Sequence, residues 1–373
     1  MNEVIGRNLK KARESAGLSQ EELAELLGVS RATLSAIENG HIAIDSGKLL
    51  AAARVLGRPV SEFFAEEEGA VALLYRGAAE ATAPPAARSA FERFSKAYRE
   101  LEEIVGVADS QLPPPDYSAS LGAESRPDSF PLQVAASERQ RLGLNDRDPI
   151  ANTFQLLEEQ GVRIFRFRME EEVFGVSAFS PKYGPCILVN AANTVERQIF
   201  TLGHEYGHLL MHRRYYQSSA PSASLDKEHP MELMANEFAA HFLVPTAGLR
   251  QTFARDIGGK KVGLEDLVFL KRYFKVSAQM LVRRLRDSGL ISKLEADDLN
   301  AEMEKRVPAK QELVPLGEDL LRDWTAASRF THLARKAALE GMVALGKLAE
   351  LMNRNVVEIR KQVQGWRQEV TLV

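Results

Sequence analysis

Two histidines flank a glutamate at His204-Glu205-Tyr206-Gly207-His208. On a helix, residues four apart share a face, so both imidazoles can reach one metal ion. Glu205 sits one step round from that face, where it can act on a water as general base. The surroundings favour this reading over an accidental spacing. Ile199, Phe200, Leu202, Leu209, Leu210 and Met211 make the run apolar and helix-forming. Polar side chains buried in such a helix are costly unless something satisfies them.

A catalytic zinc site has three protein ligands and one open position. The continuation HxxGxxH is absent, because Met211 and Arg214 stand where it requires glycine and histidine. A glutamate from a later helix is therefore expected, with Glu228, Glu232 and Glu237 as candidates. In a helix over Met231 to Leu243, Glu232, Ala235 and Ala239 share one face. The two alanines would let that helix lie close to the HExxH helix. Glu237 points about 140° away from Glu232. Glu232 is favoured, and its neighbours stay open. His212, Tyr215, Tyr216 and His229 lie nearby in sequence and are expected in solvated or supporting roles, His212 behind a ligand. Cys186 falls in an apolar strand candidate and reads as a packed core thiol.

A second constellation lies near the start. Ser19, with Glu22 three residues on, opens a short helix by a capping box, and Gly28 ends it. Ser30 opens the next helix, Arg31 to Glu38, which Asn39-Gly40 ends. The outward positions of that second helix, Ser30, Arg31, Thr33 and Ser35, are small or polar. They suit base edges and phosphates if the helix lies in a major groove. Gln20, at the start of the first helix, suits a phosphate or base contact. Arg7, Lys10, Lys11, Arg13 and Arg31 are the candidate cations of a local basic face.

These sites need elements to position them. Residues 1–65 read as five short helices, the last two over Ile42 to Leu56 and Pro59 to Phe64. Ala78 to Ala87 is rich in alanine and proline, and Pro113 to Pro115 are consecutive, so 67–129 reads as linker. Within it, Phe91, Phe94, Tyr98, Leu101 and Ile104 give Ala90 to Val105 one apolar face, suited to a connector or a dimer contact. Helices are expected over Pro131 to Leu142, Ile150 to Gln160, Val195 to Arg213, Met231 to Leu243 and Leu264 to Phe274. Strands are expected over Val162 to Arg168, Val173 to Phe179 and Cys186 to Asn190. Residues 296–373 read as wholly helical and first of all as a packing or regulatory module, with basic residues in no clean stripe, though Leu345 to Val363 could also form a second helix-turn-helix-like pair.

Composition sets the frame. The chain has 373 residues, a formal net charge of −3 and one cysteine. That length predicts two or three domains. The charge argues against coating nucleic acid in bulk, though not against one local basic face. One cysteine excludes a disulfide framework and any CxxC zinc site, which leaves histidine and carboxylate as ligands and suits a reducing cytoplasm. No secretory signal is visible, and no apolar run reaches about 18 residues, so no membrane span is expected.

Residues 3–64 resemble the Cro/repressor (Xre-type) DNA-binding domain, through the five-helix pattern and the Ile37-Glu38-Asn39-Gly40 ending. Residues 130–295 resemble the ImmA/IrrE family of metallopeptidases, through Arg197 to His212 and Glu232 to Pro245. The resemblance implies a zinc-dependent endopeptidase acting on a DNA-binding repressor, with His204, His208 and Glu232 as Zn2+ ligands and Glu205 as base. Members of that family also occur fused to an Xre-type domain. The expected fold is multidomain and mainly α. It comprises a five-helix helix-turn-helix domain (1–66), a linker with one helix (67–129), an α+β zincin-like domain carrying the HExxH helix (130–295), and a helical C-terminal module (296–373). The expected partners are double-stranded operator DNA, a repressor or other protein substrate (the chain itself included), and a second copy in a homodimer. Two other readings compete: a transcription factor whose zinc domain is only a sensor or scaffold, and a protease whose first domain recognises a protein.

Overall fold

The computed structural model describes residues 2–58, 60–64, 73–77, 85–108, 112–118, 129–170, 173–180, 182–217, 229–258, 261–308 and 311–371. The chain divides into two compact units, Met1–Val71 and Ala72–Val373.

The first unit holds α1 (Asn2–Ser15), α2 (Gln20–Leu26), α3 (Arg31–Glu38), α4 (Ser46–Leu56) and α5 (Val60–Phe64). Short polar residues set its helix starts. The Ser19 hydroxyl accepts from the Glu22 N–H at 3.2 Å, while the Glu22 carboxylate accepts from the Ser19 N–H at 2.7 Å. Ser30 caps α3 by accepting from the Thr33 N–H at 3.0 Å. Asp45 accepts from the Lys48 N–H at 3.0 Å. That cap starts α4 at Ser46, four residues later than the apolar pattern suggested, and leaves Ile42 exposed. Leu9, Leu23, Leu34, Ile37, Ala52 and Phe63 form the core. A Cβ on Gly6 would come 2.1 Å from the Ile37 carbonyl oxygen, so α1 meets the end of α3 at a point only glycine fits.

The second unit begins with β1 (Leu73–Gly77), α6 (Pro85–Val105), α7 (Phe130–Arg141) and α8 (Thr153–Glu159). Next come β2 (Arg163–Phe167), β3 (Val173–Ser180), β4 (Gly184–Asn190), α9 (Val195–Met211) and a 3-10 turn (Arg213–Gln217). Then follow α10 (Pro230–Leu243), α11 (Thr246–Thr252), α12 (Leu264–Phe274), α13 (Ala278–Asp287) and α14 (Lys293–Arg306). The unit closes with α15 (Asp319–Ala327), α16 (Arg329–Leu339), α17 (Leu345–Leu351) and α18 (Val356–Thr371). The sheet order is β1-β3-β4-β2, with β2 parallel to β4 and the other pairs antiparallel. The helix α9 packs against β3 and β4 on one side and α10 on another, and every residue from Leu202 to Met211 is buried.

Two expectations change here. The stretch read as linker supplies β1, whose backbone pairs with β3, and α6, whose Phe91, Tyr98 and Leu101 are buried. The Phe94 ring stacks on Phe165 of β2 at 5.3 Å. An apolar face as long as that of α6 is stabilised more by covering the sheet than by water contact. The C-terminal helices likewise join this unit: Trp324 lies on Phe154 at 4.6 Å, and its indole N–H donates to Glu158 at 2.9 Å.

Candidate metal centre and DNA-reading helix

The start of α9 is fixed by opposite charge. Glu196, in its first turn, accepts from buried Lys271 and from the Leu316 N–H at 2.6 Å. A carboxylate there also suits the positive end of the helix dipole. Eight residues on, His204 Nε2 and His208 Nε2 stand 3.0 Å apart. Glu232, in the first turn of α10, reaches both: Oε1 is 2.9 Å from His208 Nε2 and Oε2 is 3.2 Å from His204 Nε2. These three residues are buried, and their ligand atoms lie within 4.8 Å of one another.

Small residues make that approach possible. A Cβ on Gly207 would lie 2.9 Å from the Phe238 ring, and one on Gly203 would lie 3.4 Å from the Ala239 Cβ. Ala235 and Ala239 are fully buried between the helices. The face that carries Glu232 is therefore also the face pressed onto α9. Glu237 points elsewhere, half-exposed and paired with Arg283. Glu228 lies outside the described residues.

Both outer ring nitrogens have a polar partner. His204 Nδ1 faces Asn236 Oδ1 at 3.0 Å, and His208 Nδ1 faces His212 Nδ1 at 2.9 Å. A histidine that donates from Nδ1 keeps a lone pair on Nε2. In that tautomer two lone pairs and a carboxylate converge, an arrangement a divalent cation satisfies. Atom separations of 2.9–3.2 Å are close to the roughly 3.3 Å spacing of ligands around a four-coordinate zinc. The donor set therefore fits zinc. Burial alone would raise the Glu232 carboxyl, but in the other tautomer the Nε2–H groups of His204 and His208 donate to it and hold it well below the usual carboxylate range. His212 is held well below its ordinary value, by burial first and then by the neighbouring histidines.

Glu205 faces the sheet. Ser177 of β3 donates to its Oε2, and Ser177 Oγ lies 2.9 Å from the Tyr216 hydroxyl. Burial, then the Glu205 charge, raises the Tyr216 phenol well above its ordinary value, so it stays neutral. Gly175 brings β3 close, since a Cβ there would lie 2.4 Å from Thr201 and 3.3 Å from Glu205 Oε1. Ser177 and Asn236 are the supporting residues that sequence reasoning missed. Asn236 had a signal, four residues after Glu232 on the same helical face. Ser177 had none, because strand pairing alone brings it to α9. Of the four nearby candidates, His212 and Tyr216 join the cluster, Tyr215 is exposed, and His229 caps α10 by accepting from the Met231 N–H. Cys186 is a core thiol, pushed up to about 11 by burial.

In the first unit the expected DNA-facing residues divide. Arg31 is exposed, and Thr33 and Ser35 are half-buried on the same helix. The exposed Ser30 hydroxyl is engaged as the α3 cap and lies 2.8 Å from Thr33 Oγ1. The Gln20 amide donates inward to Glu38 at 2.8 Å, which draws it from the outward role expected of it. Arg13 does not belong to a basic face. It is buried, with Nε 2.7 Å from Glu38 Oε1, and it closes α1 onto α3. Arg7 and Lys10 are exposed, and the Lys11 side chain lies outside the described residues.

Among protein families, residues 9–63 match the Helix-turn-helix family and residues 157–286 match the IrrE N-terminal-like domain of peptidase M78. The chain joins an Xre-type helix-turn-helix to an IrrE-like domain. The IrrE-like match runs from the end of α8 into α13 and so contains the whole His204–His208–Glu232 cluster. A comparison with curated proteins found no match. Among solved structures, the chain is similar to Bacillus thuringiensis PlcR in complex with the peptide PapR7 and DNA. That likeness has 12% identity over 99% of this chain and 96% of that one, with a TM-score of 0.19. It is also similar to ComR from Streptococcus suis, at 15% identity over 100% and 96%, with a TM-score of 0.16. At those scores neither likeness bears on fold or function.

Proposed function

We propose that this protein is a DNA-bound regulator whose IrrE-like domain is a zinc endopeptidase, cutting a repressor, a partner protein or the chain itself when a signal arrives. The observation that carries the reading is the convergence of His204 Nε2, His208 Nε2 and the Glu232 carboxylate, all buried, beside the Glu205 carboxylate. Zinc, when bound, supplies a Lewis acid that acidifies water and polarises a carbonyl. His204, His208 and Glu232 would hold it, Glu205 would take the proton of the attacking water, and Ser177, held by Tyr216, fixes the Glu205 carboxylate. Arg31, Thr33 and Ser35 face the operator, and two copies spanning two half-sites would supply the affinity one small domain lacks. Such a protein works where DNA is, in the cytoplasm, and among the described residues no helix is long and apolar enough to cross a membrane.

The test uses two variants. Glu232→Ala should lose zinc by elemental analysis. Glu205→Gln should keep zinc, lose cleavage and retain uncut substrate in a pull-down. A Glu205→Gln protein that derepresses its targets as the unaltered protein does would refute the peptidase role. One observation favours a second reading, a metal-dependent sensor that cuts nothing: the four residues of the centre are at most 3% exposed. In that case Glu232→Ala changes regulation and Glu205→Gln does not.

A further inference from the structure

The backbone device of α2 and α3 recurs near the end of the chain. In the first unit α2 runs for seven residues, Gly28 turns the chain at φ 63°, and the Val29 N–H donates to the Ala24 carbonyl at 2.9 Å. In the second unit α17 also runs for seven residues, Asn353 turns the chain at φ 50°, and the Arg354 N–H donates to the Ala349 carbonyl at 2.9 Å. Ser30 opens α3. In the matching place Asn355 opens α18, its Oδ1 accepting from the Val357 N–H at 2.8 Å. The buried positions correspond as well: Leu23 with Leu348, Ala24 with Ala349 and Leu34 with Ile359. A left-handed asparagine replaces the glycine, a substitution that turn tolerates.

The three helices α16 to α18 are anchored by their back. The Phe330 ring lies 5.3 Å from Tyr98, Arg329 pairs with Glu102, and Lys347 pairs with Glu100 at 2.9 Å, all on α6. Ile359, Val363 and Trp366 turn α18 inward on one side. Its other side is open, with Val356, Val357, Glu358, Arg360 and Lys361 exposed beside Arg354 in the turn. That face carries three cations against one acid, where α3 presents Arg31 alone. The balance suits a polyanion, and the exposed valine methyls suit thymine methyl groups in a major groove.

We propose that α17 and α18 form a second helix-turn-helix, with α18 binding duplex DNA and Arg360 and Lys361 contacting phosphates. This holds whether or not the metal centre cuts peptides. The test is anisotropy of a fluorescein-labelled, mixed-sequence duplex with the full chain, titrated at several salt concentrations. In the Arg31→Ala/Thr33→Ala protein, whose first reading helix is disabled, binding should persist. Adding Arg360→Ala/Lys361→Ala should weaken it about tenfold and reduce the salt slope by about 2. Arg360→Lys/Lys361→Arg should restore both. The two tryptophans of the chain, Trp324 and Trp366, both lie among the C-terminal helices, so unchanged tryptophan emission reports that the fold survives. Loss of all binding in the Arg31→Ala/Thr33→Ala protein would overturn the proposal. So would affinity and slope that ignore Arg360 and Lys361, the result expected of a face that docks protein instead.

Discussion

Each unit of this chain buries charge beside its functional helix, and the two do so differently. In the first unit Arg13 meets Glu38 at 2.7 Å, the Arg13 guanidinium also donates to the Leu18 carbonyl, and Gln20 donates to the same carboxylate. One cation answers one anion, and the donors are spent. In the second, two imidazole Nε2 atoms and a carboxylate converge at 2.9–3.2 Å. The first cluster is closed and can only hold helices together. The second is a donor set that could hold a cation. The paired charges of the first cluster read as scaffold, and the converging ligand atoms of the second as a candidate site.

The comparison can be broken most forcefully at the closed cluster. Glu38→Ala leaves Arg13 buried without its partner and should destabilise the first unit by about 3–5 kcal/mol. Denaturant unfolding would show the loss, and zinc should not restore it. A loss under about 1 kcal/mol would mean the pair is not a structural lock.

Glu158 offers an intermediate case, a buried carboxyl held by the Trp324 indole and the Arg329 N–H. Burial raises it from 4.5 to about 7. Between those values the folded protein keeps a proton the unfolded chain has released. Stability should therefore fall as pH rises through the window and level off above it, a total of about 3 kcal/mol. Glu158→Gln keeps an acceptor and removes the slope. It should match the parent near pH 4.5 and exceed it at pH 8. Parallel pH profiles of unfolding free energy for the two proteins would sink this account.

The open cluster should respond to packing as well as to chemistry. Gly207→Ala sets a methyl 2.9 Å from Phe238, forcing α10 outward with Glu232 on it. A destabilisation of about 1–3 kcal/mol is expected, together with weaker zinc binding in a chelator competition. Equal zinc affinity would show that the helix spacing is not what sets the ligand. The smallest effect is reserved for Asn236→Ala, which removes the partner of His204 Nδ1 and should cost about tenfold in zinc affinity with little change in fold. No change in affinity would show that Asn236 does not orient the ring.

Much of this was legible beforehand, for reasons tied to periodicity. The HExxH spacing and the apolar run around it announced a buried α9, and the expected Leu264 to Phe274 helix is α12. Glu232 could be preferred over Glu237 because helical geometry separates them, and the alanine face became the contact with Gly203 and Gly207. Arg13 was misread because an arginine in an exposed-looking helix gives no sign that Glu38, 25 residues on, will cover it. The 67–129 stretch was read as linker because β1 is visible only as the partner of β3. Ser177 was invisible for the same reason.

Local chemistry decided what the sequence could settle alone. The caps at Ser19, Ser30 and Asp45 act within a few residues, and the histidine pair lies on one helical face. These follow from backbone geometry that repeats every turn. Whether a third acceptor would meet the histidines, whether Arg13 would face water or Glu38, and what would orient Glu205 were left to the tertiary structure. Each depends on two elements distant in the chain coming within hydrogen-bond reach, and only the packing of α10 and β3 on α9, and of α1 on α3, brings them there.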